Sequence, residues 1–170
     1  MIREANSSDA LSIAEVHVDS WRTTYVGQVP DHYLSELSVP KREASWSAAL
    51  KNKTAIIFVS EHDGTIEGFI SLGVARDPDL QCSGVGEVYA IYLRQEHQGR
   101  GIGQRLWERG SEALRIGEYR EATIWVLEVN LTARAFYERM GCVLDGFRKT
   151  VNIGGQNLEE IRYKVNLTNS

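Results

Sequence analysis

Between Glu87 and Gly103 the chain reads Glu-Val-Tyr-Ala-Ile-Tyr-Leu-Arg-Gln-Glu-His-Gln-Gly-Arg-Gly-Ile-Gly, and this run constrains the fold more than any other. Val88 to Leu93 is apolar and β-branched enough to predict a strand. Gly99, Gly101 and Gly103 permit tight turning, and Gln104 to Arg109 continues with helical periodicity. A strand that turns on glycines into a helix leaves the first helical amides unpaired, with the positive end of the helix dipole behind them. That geometry suits a pyrophosphate better than a single carboxylate. Two known phosphate loops fail on spacing. No Lys-Ser or Lys-Thr pair follows these glycines, and a dinucleotide fingerprint begun at Gly99 needs a glycine where Gln104 stands.

What remains is Gln98-x-x-Gly101-x-Gly103 after a strand, and a second pattern lies downstream of it. Ala122 to Val129 predicts a strand and Leu131 to Met140 a helix that stops at Gly141. Within it Asn130, Ala133, Tyr137 and Gly141 recur at three- and four-residue steps, so Ala133 and Tyr137 share a helix face. The two patterns together resemble the two motifs of the GNAT superfamily of N-acetyltransferases. Cys142 stands where that family usually has Phe, a difference of packing rather than chemistry.

The resemblance implies a mixed α/β fold, with a central sheet of about six to seven strands flanked by helices and two central parallel strands splayed apart. It implies acetyl-CoA as cosubstrate and no metal. The backbone of Ile91, Tyr92 and Leu93 would bind the pantetheine and acetyl group. The amides of Gln98, Gly99, Arg100, Gly101, Ile102, Gly103 and Gln104 would hold the pyrophosphate. Asn130 would bond the pantetheine arm, cap the following helix, or do both.

Transfer of an acetyl group from a thioester to an amine needs a proton removed from the amine, a stabilised oxyanion and a proton for the leaving thiolate. Glu87, eleven residues before Gln98, is where histone-type members of the family carry their base. A solvated strand-start residue is the alternative, with Glu67, Glu128 and Asp19 as rival bases. Tyr137 would protonate the thiolate, since thiol and phenol pKa values lie close. Cys82 and Cys142 have no neighbouring His and read as idle thiols, which favours direct transfer in a ternary complex. His97, beside Gln98, reads as a capping or solvent-facing residue.

The acceptor side is expected in the N-terminal helices. There Ser20-Trp21-x-x-Tyr25-x-Gly27-x-x-Pro30 resembles a GNAT subgroup that includes polyamine and amino-acid acetylators. Trp21, Tyr25 and Tyr33 would line an amine pocket by cation–π contact, although Trp21 and Tyr25, four apart, would equally pack one helix face. A small primary amine is the expected acceptor. A protein N-terminus or lysine, or a non-catalytic CoA-binding role, are the alternatives.

Length and composition fit one such domain over residues 1–170. A 42% hydrophobic fraction supports a single core, and mixed charges at 25% argue against disorder. A net charge of −4 without a Lys/Arg run argues against a nucleic-acid partner. With no leader-like start and no long apolar run, a cytoplasmic location without a membrane partner is expected. A homodimer is the expectation by resemblance.

The remaining pattern predicts strand 1–5, a helix capped by Ser7 or Ser8 with Asp9 and running through Val18, a short helix 31–37, another from Pro40 that carries Trp46 and Leu50, and strands 55–60 and 66–74 joined at Asp63-Gly64. A loop over 76–84 and strands 143–152 and 157–166 complete it.

Overall fold

Turn and cap chemistry sets the boundaries of the elements. In this computed structural model, which describes residues 1–81 and 83–168, strand β1 (Ile2–Glu4) leads into a 3-10 turn at Ser7–Asp9. Of Ser7, Ser8 and Asp9, Asp9 stands at the N-cap position of the following helix without a side-chain cap bond, and the cap of the turn itself is Asn6. Its side chain accepts from the Ser8 N–H while Asp9 reaches back to the Asn6 N–H, a reciprocal box one residue earlier than the serines suggested. Helix α1 (Ala10–Thr24) follows, then α2 (Asp31–Glu36) and α3 (Val39–Asn52), with Pro40 in the first turn of α3 and Ser38 as its cap.

Strands β2 (Ile56–His62) and β3 (Thr65–Val74) close on Asp63 and Gly64, both with positive φ as a two-residue hairpin turn requires. Strand β4 (Val85–Leu93), helix α4 (Ile102–Ile116), strand β5 (Glu121–Leu127) and helix α5 (Leu131–Arg139) carry the two motifs. The hairpin of β6 (Val143–Ile153) and β7 (Gln156–Asn166) ends the fold. The expected strand through Val129 stops at Leu127, because Asn130 already begins the next helix as its cap.

The seven strands form one sheet in the order β1-β2-β3-β4-β5-β7-β6, antiparallel except between β4 and β5. The expected splay lies there. Parallel pairing covers Val85 to Val88 against Glu121 to Ile124 and then ceases. On its other edge, β4 pairs Ala90 with Ser71 and Val88 with Leu72, so Tyr89 is an extra residue in the ladder. A bulge bends its strand and increases the local twist, and this one falls where β4 leaves β5.

Both faces of the sheet are covered. Leu106, Trp107 and Leu114 of α4 pack with Ile70, Leu72, Val88 and Ile124 on one side, and Ile13 and Val16 of α1 meet Ile57, Val59 and Phe69 on the other. Leu106 is fully buried in the first of these clusters. Truncation of Leu106 to Ala leaves a cavity under the helix that follows the phosphate loop and is expected to cost about 2–5 kcal/mol. Equilibrium urea unfolding checks this through a fall in midpoint with unchanged slope.

Candidate active site

The departure of β4 from β5 opens a cleft of about 1220 Å³ that reaches from the glycine loop to the loop after α1. The loop is built as its glycines predict. Gly99 and Gly101 both adopt left-handed φ, +73° and +74°, which disfavours a side chain there. Gly101 caps α4 without a side-chain acceptor, and the first backbone bond back to it comes from Arg105. The amides of Ile102, Gly103 and Gln104 are therefore free for an anion, at the positive end of a 15-residue helix. Ile102 itself turns its side chain into the core, so its amide is what it offers the loop.

Ile91, Tyr92, Leu93, Gln98, Gly99, Gly101, Gly103, Gln104 and Asn130 line the cleft, as do Glu87, Tyr137, Trp21 and Tyr25. Arg100 and Tyr33 do not. Tyr33 of α2 is held against the β6–β7 turn, where its Cβ would lie 2.7 Å from a Cβ on Gly154, and its ring is 6.1 Å from that of Trp21. That packing corrects its assignment to the acceptor wall. The indole N–H of Trp21 donates to the Tyr92 hydroxyl at 3.1 Å while its ring borders the cleft. Tyr25 is buried 4.7 Å from Trp21, which raises its phenol pKa, and its oxygen accepts from Asn130 Nδ2 at 3.1 Å. Asn130 also accepts the Ala133 N–H at 3.1 Å and is thus the α5 cap.

Tyr137 is 6% exposed, and burial raises its phenol well above the ordinary value. No group among the described residues hydrogen-bonds its hydroxyl, although the ring packs against Trp107, Phe136 and Tyr163. Burial also pushes the Cys142 thiol up to about 12, and Cys142 does not line the cleft. Cys82 lies outside the described residues. His97 does not face solvent as expected: its ring is four-fifths covered, with Nδ1 3.4 Å from the Glu67 carboxylate.

Of the four carboxylates considered as base, Glu87 alone borders the cleft among the described residues. Glu67 receives the Ser60 hydroxyl, Glu128 pairs with Arg148, and Asp19 pairs with Arg94. Glu87 is a buried mid-strand residue, 2% exposed, not a solvated strand start. Both its oxygens are engaged by Arg76.

Several wall residues escaped the sequence reading: Arg76, Tyr89, Trp125, Lys149, Glu160 and Gln28. Lys149 lies 4.0 Å over the Trp125 ring and 3.4 Å from Glu160, and Gln28 has a buried Oε1 with no partner among the described residues. Behind this wall Arg162, 2% exposed, binds Asp77, Asp79 and Asp145 at 2.7–2.9 Å, and the Trp125 N–H donates to Asp77 at 2.7 Å. One guanidinium thereby ties the loop after β3 to β5, β6 and β7. Alternating runs of Asp, Trp and Arg on separate elements carry no local signal for such a cluster.

Residues 14–142 match the profile described as "Acetyltransferase (GNAT) family". The chain is 40% identical over 131 residues to an uncharacterized N-acetyltransferase of Bacillus subtilis (strain 168), a match covering 76% of this chain and 72% of the relative. It is 28% identical over 167 residues to a probable N-acetyltransferase of Mycobacterium tuberculosis (strain ATCC 25618 / H37Rv), covering 96% and 92%. In fold it resembles PaiA N-acetyltransferase from Thermoplasma acidophilum in complex with coenzyme A, with a TM-score of 0.72 at 20% identity over 98% of both chains. A putative acetyltransferase from Salmonella typhimurium with acetyl-CoA gives 0.74 at 18% identity, over 100% of this chain and 95% of that one.

The chain belongs to the GNAT family of acetyltransferases. It is an acetyl-CoA-dependent N-acetyltransferase of that type. No helix among the described residues is long and apolar enough to cross a membrane, and no acidic, Cys or His cluster there is arranged to hold a metal ion.

Replacement of Asn130 by Ala removes the α5 cap and the Tyr25 hydrogen bond together. A loss of about 1–2 kcal/mol is expected, measured by denaturant midpoint.

Proposed function

We propose that this enzyme, a single domain over residues 1–170, acetylates a small primary amine by direct transfer within a ternary complex. The observation that carries the reading is one open cleft bordered at once by the free amides of the glycine loop, by Tyr137 and by Glu87. The loop amides from Gly99 to Gln104 hold the pyrophosphate of acetyl-CoA, the Gln98 N–H being taken by the Gln95 carbonyl at 3.2 Å, and the unpaired edge of β4 over Ile91 to Leu93 takes the pantetheine and the thioester. Asn130 steadies that arm from the start of α5. Trp21 and Tyr25, on the segment shared with the Ser-Trp subgroup, close the acceptor side.

An alkylammonium has a pKa of about 10.4, so roughly one molecule in a thousand is the free amine at neutral pH. The Glu87 carboxylate accepts the ammonium proton, the amine nitrogen forms the C–N bond and sheds its second proton to solvent, and the C–S bond breaks. Tyr137 gives its phenolic proton to the departing thiolate. Burial raises the phenol pKa, but the thiolate forms in the same poorly solvated space and its basicity rises with it, so the exchange stays close to balanced. Solvent then returns a proton to Tyr137 and removes one from Glu87. With Cys142 buried, raised to about 12 and away from the cleft, the described residues offer no acyl-accepting thiol.

Tyr137→Phe and Glu87→Gln are each expected to lower kcat by about 10²–10⁴, read as free-thiol release from acetyl-CoA across amino acids, simple amines, polyamines and peptides. Unchanged turnover in both variants would overturn the assigned chemistry. Activity on peptides alone would move the acceptor to protein. Because its pKa is raised, Tyr137 stays protonated as the medium becomes alkaline. The rate should therefore climb with pH as the amine deprotonates and show no falling limb below about pH 9.

A dimer is part of the reading. β6 is a free sheet edge with Val143, Leu144 and Phe147 exposed, and sedimentation at micromolar concentration should give twice the mass of one chain.

A further inference from the structure

The Glu87 carboxylate, enclosed by protein, receives three N–H groups from a single residue. Arg76 supplies its backbone N–H at 2.9 Å, Nε at 3.2 Å and Nη2 at 2.6 Å. The arginine side chain is 64% exposed on the cleft side of this pair, and its Nη1 donates to no group among the described residues. Arg76 thereby fills three of the carboxylate's roughly four lone-pair sites, so an arriving ammonium competes with the guanidinium for it.

The surroundings of Arg76 are fixed while its head group is not. The guanidinium carbon stacks 4.1 Å over the Tyr89 ring, and the Tyr89 hydroxyl donates to the Val74 carbonyl at 2.7 Å. Any Cβ on Gly73 would lie 2.6 Å from that hydroxyl, so the ring occupies space that glycine alone leaves. Asp77 and Asp79, next along the chain, are clamped by Arg162. The backbone N–H of Arg76 therefore stays on Glu87 and keeps the carboxylate aimed, while the exposed fork is free to change partners.

We infer that Arg76 is the anion-reading residue of the acceptor site, and that the acceptor is a primary amine carrying a carboxylate, an α-amino acid or close analogue. This inference rests on the small-amine reading above and names its substrate class. A substrate carboxylate presents the same two-oxygen edge to the guanidinium as Glu87 does, so the fork passes from one carboxylate to the other with no charge left unpaired. Glu87 then has a free oxygen at the moment the acceptor's ammonium arrives. A polyamine offers Arg76 nothing in exchange. It would add positive charge to a cleft that already holds Arg76 and Lys149, each stacked on an aromatic ring.

Matched acceptor pairs test the inference: several amino acids, each beside the amine of the same side chain lacking the carboxylate, with spermidine as a cationic control. For the wild type, kcat/KM should favour the amino-acid member by about 10²-fold or more. In Arg76→Met that preference should collapse, chiefly through a raised acceptor KM while the KM for acetyl-CoA holds, and Arg76→Lys should recover part of it. The wild-type comparison needs no variant to fold, and thermal melting establishes that the variants do. Wild-type turnover of decarboxylated amines or spermidine as fast as amino acids would overturn the role of Arg76 and leave the small-amine reading intact. Thiol release with peptides alone would remove that reading and this inference together.

Discussion

Four residue pairs, Val85 to Val88 with Glu121 to Ile124, are the only parallel ladder among the described residues, and everything functional depends on where that ladder stops. A longer ladder would satisfy the edges of both strands and leave no room for a substrate. The extra residue at Tyr89 ends it by bending β4 away, at the cost of unpaired backbone along one strand edge. The unpaired edge is affordable because a substrate with amide groups of its own can complete it. The same bulge turns Tyr89 across β3 towards Val74, so the strand's departure and the aromatic platform under Arg76 arise from one event.

A sheet joined so narrowly needs other ties to keep the cleft at one width. On the N-terminal side, Arg94 at the end of β4 binds Asp19 and Glu15 of α1, and the Ser20 hydroxyl donates to the Leu93 carbonyl. On the other side, Arg162 gathers Asp77, Asp79 and Asp145. The two ties differ in energetics. The Arg94 pairs involve half-exposed carboxylates and contribute modestly, on the order of 1 kcal/mol or less each. Arg162 is buried, and its removal would leave three carboxylates facing one another, so that cluster enforces a geometry more than it adds net stability.

Local chemistry explains which parts were legible in the sequence. The glycine loop, the Asp63-Gly64 hairpin and the Asn130 cap are written in residues a few positions apart, and each appeared with its expected backbone. The order of elements followed, since each strand and helix shows its own periodicity. The bulge at Tyr89 was hidden because Val85 to Leu93 is apolar almost throughout, so a one-residue slip leaves no trace in the pattern. In sequence Arg76 reads as part of a loop, and its tie to Glu87 depends on β3 and β4 lying side by side. The place of Tyr33 is hidden in the same way: its neighbour is Gly154, more than a hundred residues away in sequence.

Net charge illustrates the limit of composition as a guide to a site. A chain at −4 suggests an attraction for cations, yet that balance governs solubility and long-range steering and says little about a cleft a few ångströms wide. On the cleft wall, beside Arg139, stand two cation–carboxylate pairs, Arg76 with Glu87 and Lys149 with Glu160, and each cation of these pairs also rests on an aromatic ring. In both pairs the ring gives the cation a second hold that does not depend on the carboxylate, which lowers the cost of parting the pair when a substrate enters. An acceptor bearing one positive and one negative group meets complementary partners there, whereas a uniformly charged one meets a repulsion for every attraction.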